Sequence, residues 1–289
     1  IFADFVAQER DISLELRFSR TKAMEIYKNG VRQKRQSDAQ GLLKTVLFCP
    51  EDLMLVRAGA AARRRFLDTA LCQMRPNYAR YLEEYNRLHE HKTRILRDSE
   101  EKPSLLSMWE DFSLRMAHIG AQIIRYRAYY CRKLLKAAAA VYADIAPHEV
   151  LSGVYKTVSS VTDPFADART IEKQLIDHVF SHKTAEIAAK SCLSGPHKDD
   201  LELLLDGRSA ASFGSQGQVR TCTLSLKLAE RELFFDEDGE YPVLLLDDVL
   251  SELDRRRQDF VLNRISAGQV MITCCEDGIS EKLRAGAVF

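Results

Sequence analysis

The sequence predicts an α/β fold whose sheet-forming parts are separated by an inserted antiparallel two-helix arm. Three observations carry this reading. Residues 1–48 alternate apolar and polar positions with the two-residue period of half-buried strands. Residues 60–142 step by three and four, the spacing of a helical seam. From residue 150 onward strand-like and helix-like stretches alternate again, culminating in the apolar run Val243-Leu244-Leu245-Leu246. A strand buried on both faces has that composition. Sheet segments on both sides of the helices imply an insertion into one α/β domain. The predicted parts are 1–58, β-rich; 59–148, the helical arm; and 149–289, α/β.

Taken in order, residues 1–8 read as a strand, and Leu14, Leu16 and Phe18 mark a second. Asn29-Gly30 between two such runs is a hairpin turn signal, because both residues tolerate positive φ. Thr45-Val46-Leu47-Phe48 is a further strand, ended by Pro50. In the arm, Tyr78, Tyr81, Tyr85, Leu88 and Ile95 form one seam, with Lys92 in its polar slot. After a polar break at 98–103, Leu105, Trp109, Phe112, Met116, Ile119, Ile123, Tyr126 and Tyr130 form the other. The short connection makes the two helices antiparallel neighbours. Beyond it, 150–161 reads as one or two strands, 171–190 as an amphipathic helix, 201–205 as a strand closed by Asp206-Gly207, and 216–235 as a helix. A helix over 254–266 and a strand over 269–273 follow.

Composition narrows the function classes. Hydrophobic residues make up 46% and charged residues 29% of the 289, an ordinary globular balance. No apolar run reaches the length that spans a bilayer, and no secretion signal opens the chain. The seven cysteines are odd in number and form no C-x-x-C pair, which predicts reduced, mostly buried thiols. Forty-two basic residues balance 42 acidic ones, so a nucleic-acid surface has to be local. The clusters Arg32–Lys34–Arg35, Arg63–Arg64–Arg65, Arg125–Arg127–Arg132–Lys133 and Arg255–Arg256–Arg257 are each read first as solvated faces. The chain has no starting Met and closes inside the apolar Ala287-Val288-Phe289, so it is expected to be a fragment.

Three constellations carry chemistry. Asp247 and Asp248 end the apolar strand, where ligands of open α/β sheets bind and where phosphoryl chemistry places a Mg²⁺-holding carboxylate. Ser215-Gln216-Gly217-Gln218 has the pattern of a capping box, Ser215 at the N-cap and Gln218 three residues on. The same geometry makes an anion site: free N–H groups, a positive dipole end, a glycine permitting close approach and a hydroxyl. Ser251-Glu252-Leu253-Asp254 is an acidic turn opening the next helix. Each has a plain structural explanation, a helix cap or an Asp-rich turn. Their order within 40 residues is what points to nucleotide chemistry.

This ordered set resembles the signature motif, Walker B and D-loop of an ABC/SMC-type ATPase head, in the P-loop NTPase class. A closer resemblance runs through Val46-Leu47-Phe48-Cys49-Pro50-Glu51-Asp52-Leu53, Arg63-Arg64-Arg65-Phe66-Leu67-Asp68 and Gly195-Pro196-His197-Lys198-Asp199-Asp200-Leu201. It continues through Ser215-Gln216-Gly217-Gln218-Val219-Arg220-Thr221 and Leu246-Asp247-Asp248-Val249-Leu250-Ser251-Glu252-Leu253-Asp254. Together these resemble the RecF family over nearly the whole chain. The resemblance implies a cytoplasmic protein that binds ATP and Mg²⁺ and dimerises on ATP. It also implies DNA binding at single-strand/double-strand junctions, with RecR-type mediators helping to load recombinase at gaps. On it, Asp247 holds the metal, Asp248 positions water, and Ser215, Gly217, Gln218 and Asp254 bind nucleotide, the signature helix closing over the γ-phosphate of a partner across a two-fold interface.

The sequence departs from the pattern in four respects. No G-x-x-x-x-G-K-[ST] occurs, and the family carries that loop near its N-terminus, so these residues alone are not expected to hydrolyse ATP. Asp248 stands where ABC heads usually have glutamate, which suggests slow turnover. Residues 48–52 contain no glutamine for a Q-loop; Glu51 or Asp52 is the substitute. Thr273 occupies the place of the switch histidine, where its hydroxyl could reach the γ-phosphate through water. His197 reads as a structural turn residue. Two rival functions are an SMC-like DNA-bridging head, disfavoured by so short an arm, and a non-catalytic interaction module in which the acids only cap helices.

Overall fold

In the computed structural model the described residues are 1–21, 24–35, 38–158, 160–265 and 267–274. Ser266, at the end of the helix predicted over 254–266, lies outside them, as do Cys275 and the closing Ala287-Val288-Phe289. Two compact units form: one from 1–59, 133–153 and 203–289, the other from 60–132 and 154–202.

The first unit opens with an antiparallel meander of β1 (Phe2–Ala7), β2 (Arg10–Arg17), β3 (Glu25–Lys28) and β4 (Val31–Arg32). Asn29 and Gly30 take φ of 49° and 75°, the twisted turn that suits right-handed strands. Asn29 reinforces it by accepting the Ser13 N–H on Oδ1 at 2.8 Å. The β1–β2 turn also uses positive φ, at Gln8 (50°) and Glu9 (60°), without any glycine to announce it. There the Gln8 N–H is held by the Glu240 carboxylate at 3.0 Å.

A second, parallel sheet has the order β10-β9-β5, from β5 (Thr45–Phe48), β9 (Val243–Asp247) and β10 (Val270–Thr273). Its register pairs Val46 with Leu244, Phe48 with Leu246, and Thr273 with Asp247. Val46, Phe48, Leu244 and Leu246 are all buried, whereas Val243 and Leu245 are half-buried, so the strand predicted to be covered on both faces is covered better on one. Before β9 in sequence come α6 (Ala210–Phe213) and α7 (Gln216–Asp238). Most of α7 from Val219 to Phe234 is buried, as befits a helix inside a core rather than on a surface. Its C-cap is Gly239 at φ 75°, and α8 (Arg255–Arg264) follows β9.

The second unit is built from α1 (Ala60–Met74), α2 (Pro76–Asp98), α3 (Trp109–Ile145), α4 (Ala168–Ser181) and α5 (Lys183–Ala189). Helices α2 and α3 run antiparallel: Tyr78 meets Tyr126 with centroids 5.6 Å apart, and His91 meets Phe112 at 6.1 Å. Their predicted seam is buried at Tyr78, Tyr85, Leu88 and Ile95 and at Trp109, Met116, Ile119, Ile123 and Tyr130. A second stripe on α3, Ala117, Ala121, Ile124 and Ala128, is buried as well, so this helix has the wide face of a globular core helix rather than a heptad seam. Helix α3 and the third sheet, β6 (Leu151–Lys156), β7 (Asp200–Leu205) and β8 (Arg208–Ser209), contribute residues to both units.

Several expectations change. The helix predicted over 171–190 is two, α4 and α5, because His182 leaves helical geometry at φ −103° and ψ 10°. Its ring stacks on His178 with centroids 4.0 Å apart, and Lys190 ends α5 in the left-handed region at φ 50°. Leu105 falls in the 3₁₀ turn Pro103–Met108, so α3 starts at Trp109. Among the described residues of 150–161 there is one strand, β6, within the one or two expected. The compact units also cut the chain differently from 1–58, 59–148 and 149–289. Residues 154–202 pack in the unit of α1 and α2, which their sequence spacing could not reveal.

Cys49, Cys72, Cys131, Cys192, Cys222 and Cys274 are free thiols. Burial pushes Cys72 up to about 12 and Cys222 up to about 12, so these are inert packing groups rather than nucleophiles. Among the described residues no helix is long and apolar enough to cross a membrane.

Candidate nucleotide-binding site

Asp247 is the last residue of β9, and its side chain is exposed at the carboxyl end of the parallel sheet. Thr273 Oγ1 donates to Asp247 Oδ1 at 2.7 Å. The chain then turns sharply: Asp248 adopts φ 49°, and its N–H donates to the Thr273 carbonyl at 3.1 Å and to Thr273 Oγ1 at 3.0 Å. Asp248 Oδ1 is buried without a hydrogen-bond partner among the described residues. Such an atom is costly unless a water or cation satisfies it. One carboxylate with an oxygen at the strand end, beside a second with an orphaned oxygen, fits Mg²⁺. That ion takes only one or two protein oxygens and keeps its waters. Among the described residues no group of three or more His, Cys, Asp or Glu could hold a metal ion.

The start of α7 forms the predicted capping box. Ser215 Oγ accepts the Gln218 N–H at 3.2 Å, and Gln218 Oε1 accepts the Ser215 N–H at 2.8 Å. The Gln218 amide is used at its other end too, donating to Glu149 Oε1 at 2.9 Å. Glu149 is itself bonded by the Tyr142 hydroxyl. Gln218 therefore shapes the helix start from within. The Ser215 hydroxyl proton and the N–H groups of Gln216 and Gly217 have no acceptor among the described residues, leaving an anion-seeking helix end in a 23-residue helix.

Two arginines bind this helix start to the acidic turn after β9. Arg220 donates from Nη1 to the Glu252 carbonyl at 2.5 Å and from Nη2 to Glu252 Oε2 at 3.0 Å. Arg257 donates to Gly217 O at 3.1 Å and to Thr221 Oγ1 at 2.9 Å, and it pairs with Asp254. Asp254 is the N-cap of α8, accepting the Arg257 N–H at 3.0 Å. Burial pulls its carboxyl upward, but the Arg257 N–H and guanidinium outweigh this and hold it below its ordinary value. Ser251 closes the turn by donating to Asp248 O at 2.6 Å. All six predicted residues, Ser215, Gly217, Gln218, Asp247, Asp248 and Asp254, thus lie in one unit. Sequence reasoning missed Glu149, Arg220 and Arg257. The last sits in the Arg255–Arg256–Arg257 cluster read as a solvated face, yet Arg256 also donates inward, to Ile145 O at 2.8 Å.

Asp52 accepts the Cys49 N–H at 3.1 Å and pairs with Lys227 at 3.2 Å, so it is committed within its turn, while Glu51 is exposed. The other motifs that carry the family resemblance are structural and belong to the second unit. Buried Arg127 donates to both Asp68 oxygens at 2.9 Å and to Pro196 O at 2.7 Å. Arg63 pairs with Asp200 at 2.7 Å, and Arg64 reaches Asp199 O at 2.6 Å. Gly195 sits at φ 126°, where a Cβ would come within 2.2 Å of the Tyr85 hydroxyl, so the turn requires glycine. His197 donates from Nε2 to Cys192 O at 3.0 Å, which makes Nδ1 the acceptor for Tyr85 OH at 2.7 Å. Burial, with His89 alongside, lowers it to about 3. It is a neutral hydrogen-bonding residue.

The fold and these elements define an ABC/SMC-type ATPase head. No protein-family model matches the chain. The DNA replication and repair protein RecF of Acetivibrio thermocellus is 32% identical over 286 residues, covering 99% of this chain and 78% of that one. RecF of Halothermothrix orenii is 38% identical over 280 residues, covering 92% and 71%. Among solved structures, the recombination mediator RecF with ATPrS, described within the RecFOR pathway, superposes with a TM-score of 0.87 at 29% identity, covering 97% of this chain and 74% of that one. A RecF–ATP structure gives 0.85 at 30% identity, covering 92% and 71%. The chain belongs to the RecF family.

Proposed function

We propose that this chain is the greater part of an ATP-dependent DNA clamp of replication and repair. In this reading it acts in the cytoplasm, dimerises on ATP, binds DNA at single-strand/double-strand junctions and promotes recombinase loading at gaps with a RecR-type mediator. The observation that carries the nucleotide part is the pairing, within one unit, of the Asp247–Asp248 strand end with the Ser215-capped start of α7. The phosphate-binding pattern G-x-x-x-x-G-K-[ST] does not occur in these 289 residues.

Asp247 would hold Mg²⁺, which when bound neutralises charge on the β- and γ-phosphates. Asp248 accepts the proton of, or orients, the attacking water. Ser215 and the free amides of Gln216 and Gly217 face the γ-phosphate bound by a second copy, so two nucleotides lie at a two-fold interface. The clamp meets DNA mainly through phosphates.

The test is Ser215→Arg in the protein that includes the phosphate-binding loop. A bulky cation at the helix start blocks closure by the partner, so sedimentation with ATP gives monomer while ATP affinity stays near wild type. Simultaneous loss of ATP binding would place Ser215 in its own subunit's site and sink the shared-site mechanism.

A further inference from the structure

We infer that Thr273 is the positioning residue that orients Asp247 toward the metal, an assignment that rests on the nucleotide-binding reading above. Thr273 ends β10 directly opposite Asp247 in the parallel register of β9, so the two side chains emerge side by side. A carboxylate oxygen only accepts, so at 2.7 Å the Thr273 hydroxyl is the donor to Asp247 Oδ1. A hydroxyl carries one proton and two lone pairs. Its proton is spent on Asp247, and a lone pair takes the Asp248 N–H at 3.0 Å. The hydroxyl that the sequence offered to a γ-phosphate water is thereby committed to the two acidic residues instead.

Thr273 occupies one oxygen of Asp247 and leaves the other, which has no hydrogen-bond partner among the described residues, for a cation. The Thr273 hydroxyl is held from both sides, by Asp247 Oδ1 at 2.7 Å and by the Asp248 N–H at 3.0 Å, so the donor stays in place. Groups that orient a metal-binding carboxylate from behind commonly matter about 10- to 100-fold in metal affinity. The Asp248 N–H keeps its second acceptor, the Thr273 carbonyl at 3.1 Å, whatever side chain stands at 273. The turn at φ 49° therefore survives removal of the hydroxyl, which separates orientation of Asp247 from folding of the loop.

The experiment compares wild type, Thr273→Val, Thr273→Ser and Asp247→Asn in the protein that includes the phosphate-binding loop. Binding of a fluorescent ATP analogue is titrated with Mg²⁺, and again in EDTA. Valine keeps the shape and β-branching and removes only the hydroxyl. The Mg²⁺ midpoint of Thr273→Val is expected to rise about 10-fold, with metal-free affinity unchanged, and Thr273→Ser to lie within about twofold of wild type. A Thr273→Val midpoint within about twofold of wild type, while Asp247→Asn shifts it, overturns the inference and leaves the nucleotide reading intact. Equal loss in Thr273→Val and Thr273→Ser overturns it too, since serine retains the donor. An unchanged midpoint in Asp247→Asn removes the metal role of that carboxylate and overturns both.

Discussion

Lys92, the one polar position in the predicted seam of α2, is 1% exposed and sits 2.6 Å from Glu186, which is 0% exposed. Glu186 also accepts Trp109 Nε1–H at 3.0 Å and the Leu193 N–H at 2.8 Å, and the Lys92 ammonium lies 4.9 Å from the Trp109 ring centroid. Lys92→Met leaves the buried carboxylate with two donors but no counter-charge. Breaking a buried ion pair costs about 3–5 kcal/mol. The two surviving hydrogen bonds place this case near the lower end, at about 3 kcal/mol. Lys92→Met/Glu186→Gln removes both charges and should recover all but about 1 kcal/mol, because a neutral replacement no longer strands a charge. Trp109 is the only tryptophan in the chain, so urea unfolding followed by its emission reports this unit directly. A single variant within about 1 kcal/mol of wild type, or a double variant no more stable than the single, would refute the argument that the pair is held by mutual neutralisation.

Glu230 on α7 is buried with Oε2 unpartnered among the described residues, and burial raises it to about 7 from 4.5. Between those values the folded state keeps a proton that the unfolded state has released, so stability falls as pH rises from 4.5 to 7 and is level above. Glu230→Gln should flatten that slope and be more stable than wild type at pH 8, on the order of 2–3 kcal/mol; urea midpoints across pH 4.5–8 check it, and parallel curves would contradict the assignment. Asp247→Asn and Asp248→Asn should differ in kind. The first lowers Mg²⁺-dependent ATP binding, dimerisation and turnover together. The second slows single-turnover hydrolysis by about 10²–10⁴ and prolongs the ATP-bound dimer on DNA. Loss of ATP binding in both, or a shorter dimer lifetime for Asp248→Asn, counts against this division of labour.

The basic clusters illustrate why charge in sequence is a weak guide to a phosphate surface. Arg63 and Arg64 are spent on Asp200 and the Asp199 carbonyl, Arg127 on Asp68 and Pro196, and Arg256 and Arg257 on backbone carbonyls of their own unit. Two motifs of the family resemblance, the Arg63–Asp68 and Gly195–Leu201 runs, are two halves of one buried polar network. Desolvated groups this numerous hold a unique geometry only when every partner is present.

Elements whose causes are local were legible in the residues. The Asn29-Gly30 turn, the Ser215–Gln218 capping box, the apolar strand ending in Asp247 and the helical periodicity of α2 and α3 all rest on residues within a few positions of one another. For these, backbone preference and hydrophobic period suffice. What depends on residues far apart in the chain came only from the folded protein. It assigned 154–202 to the unit of α1 and α2, and it split the helix predicted over 171–190 at His182. It turned Lys92 inward to meet Glu186, widened the buried face of α3, and set Thr273 against Asp247 across 26 residues. A charged or hydroxyl side chain is costly to bury until a partner is brought to it, and only the folded chain brings that partner.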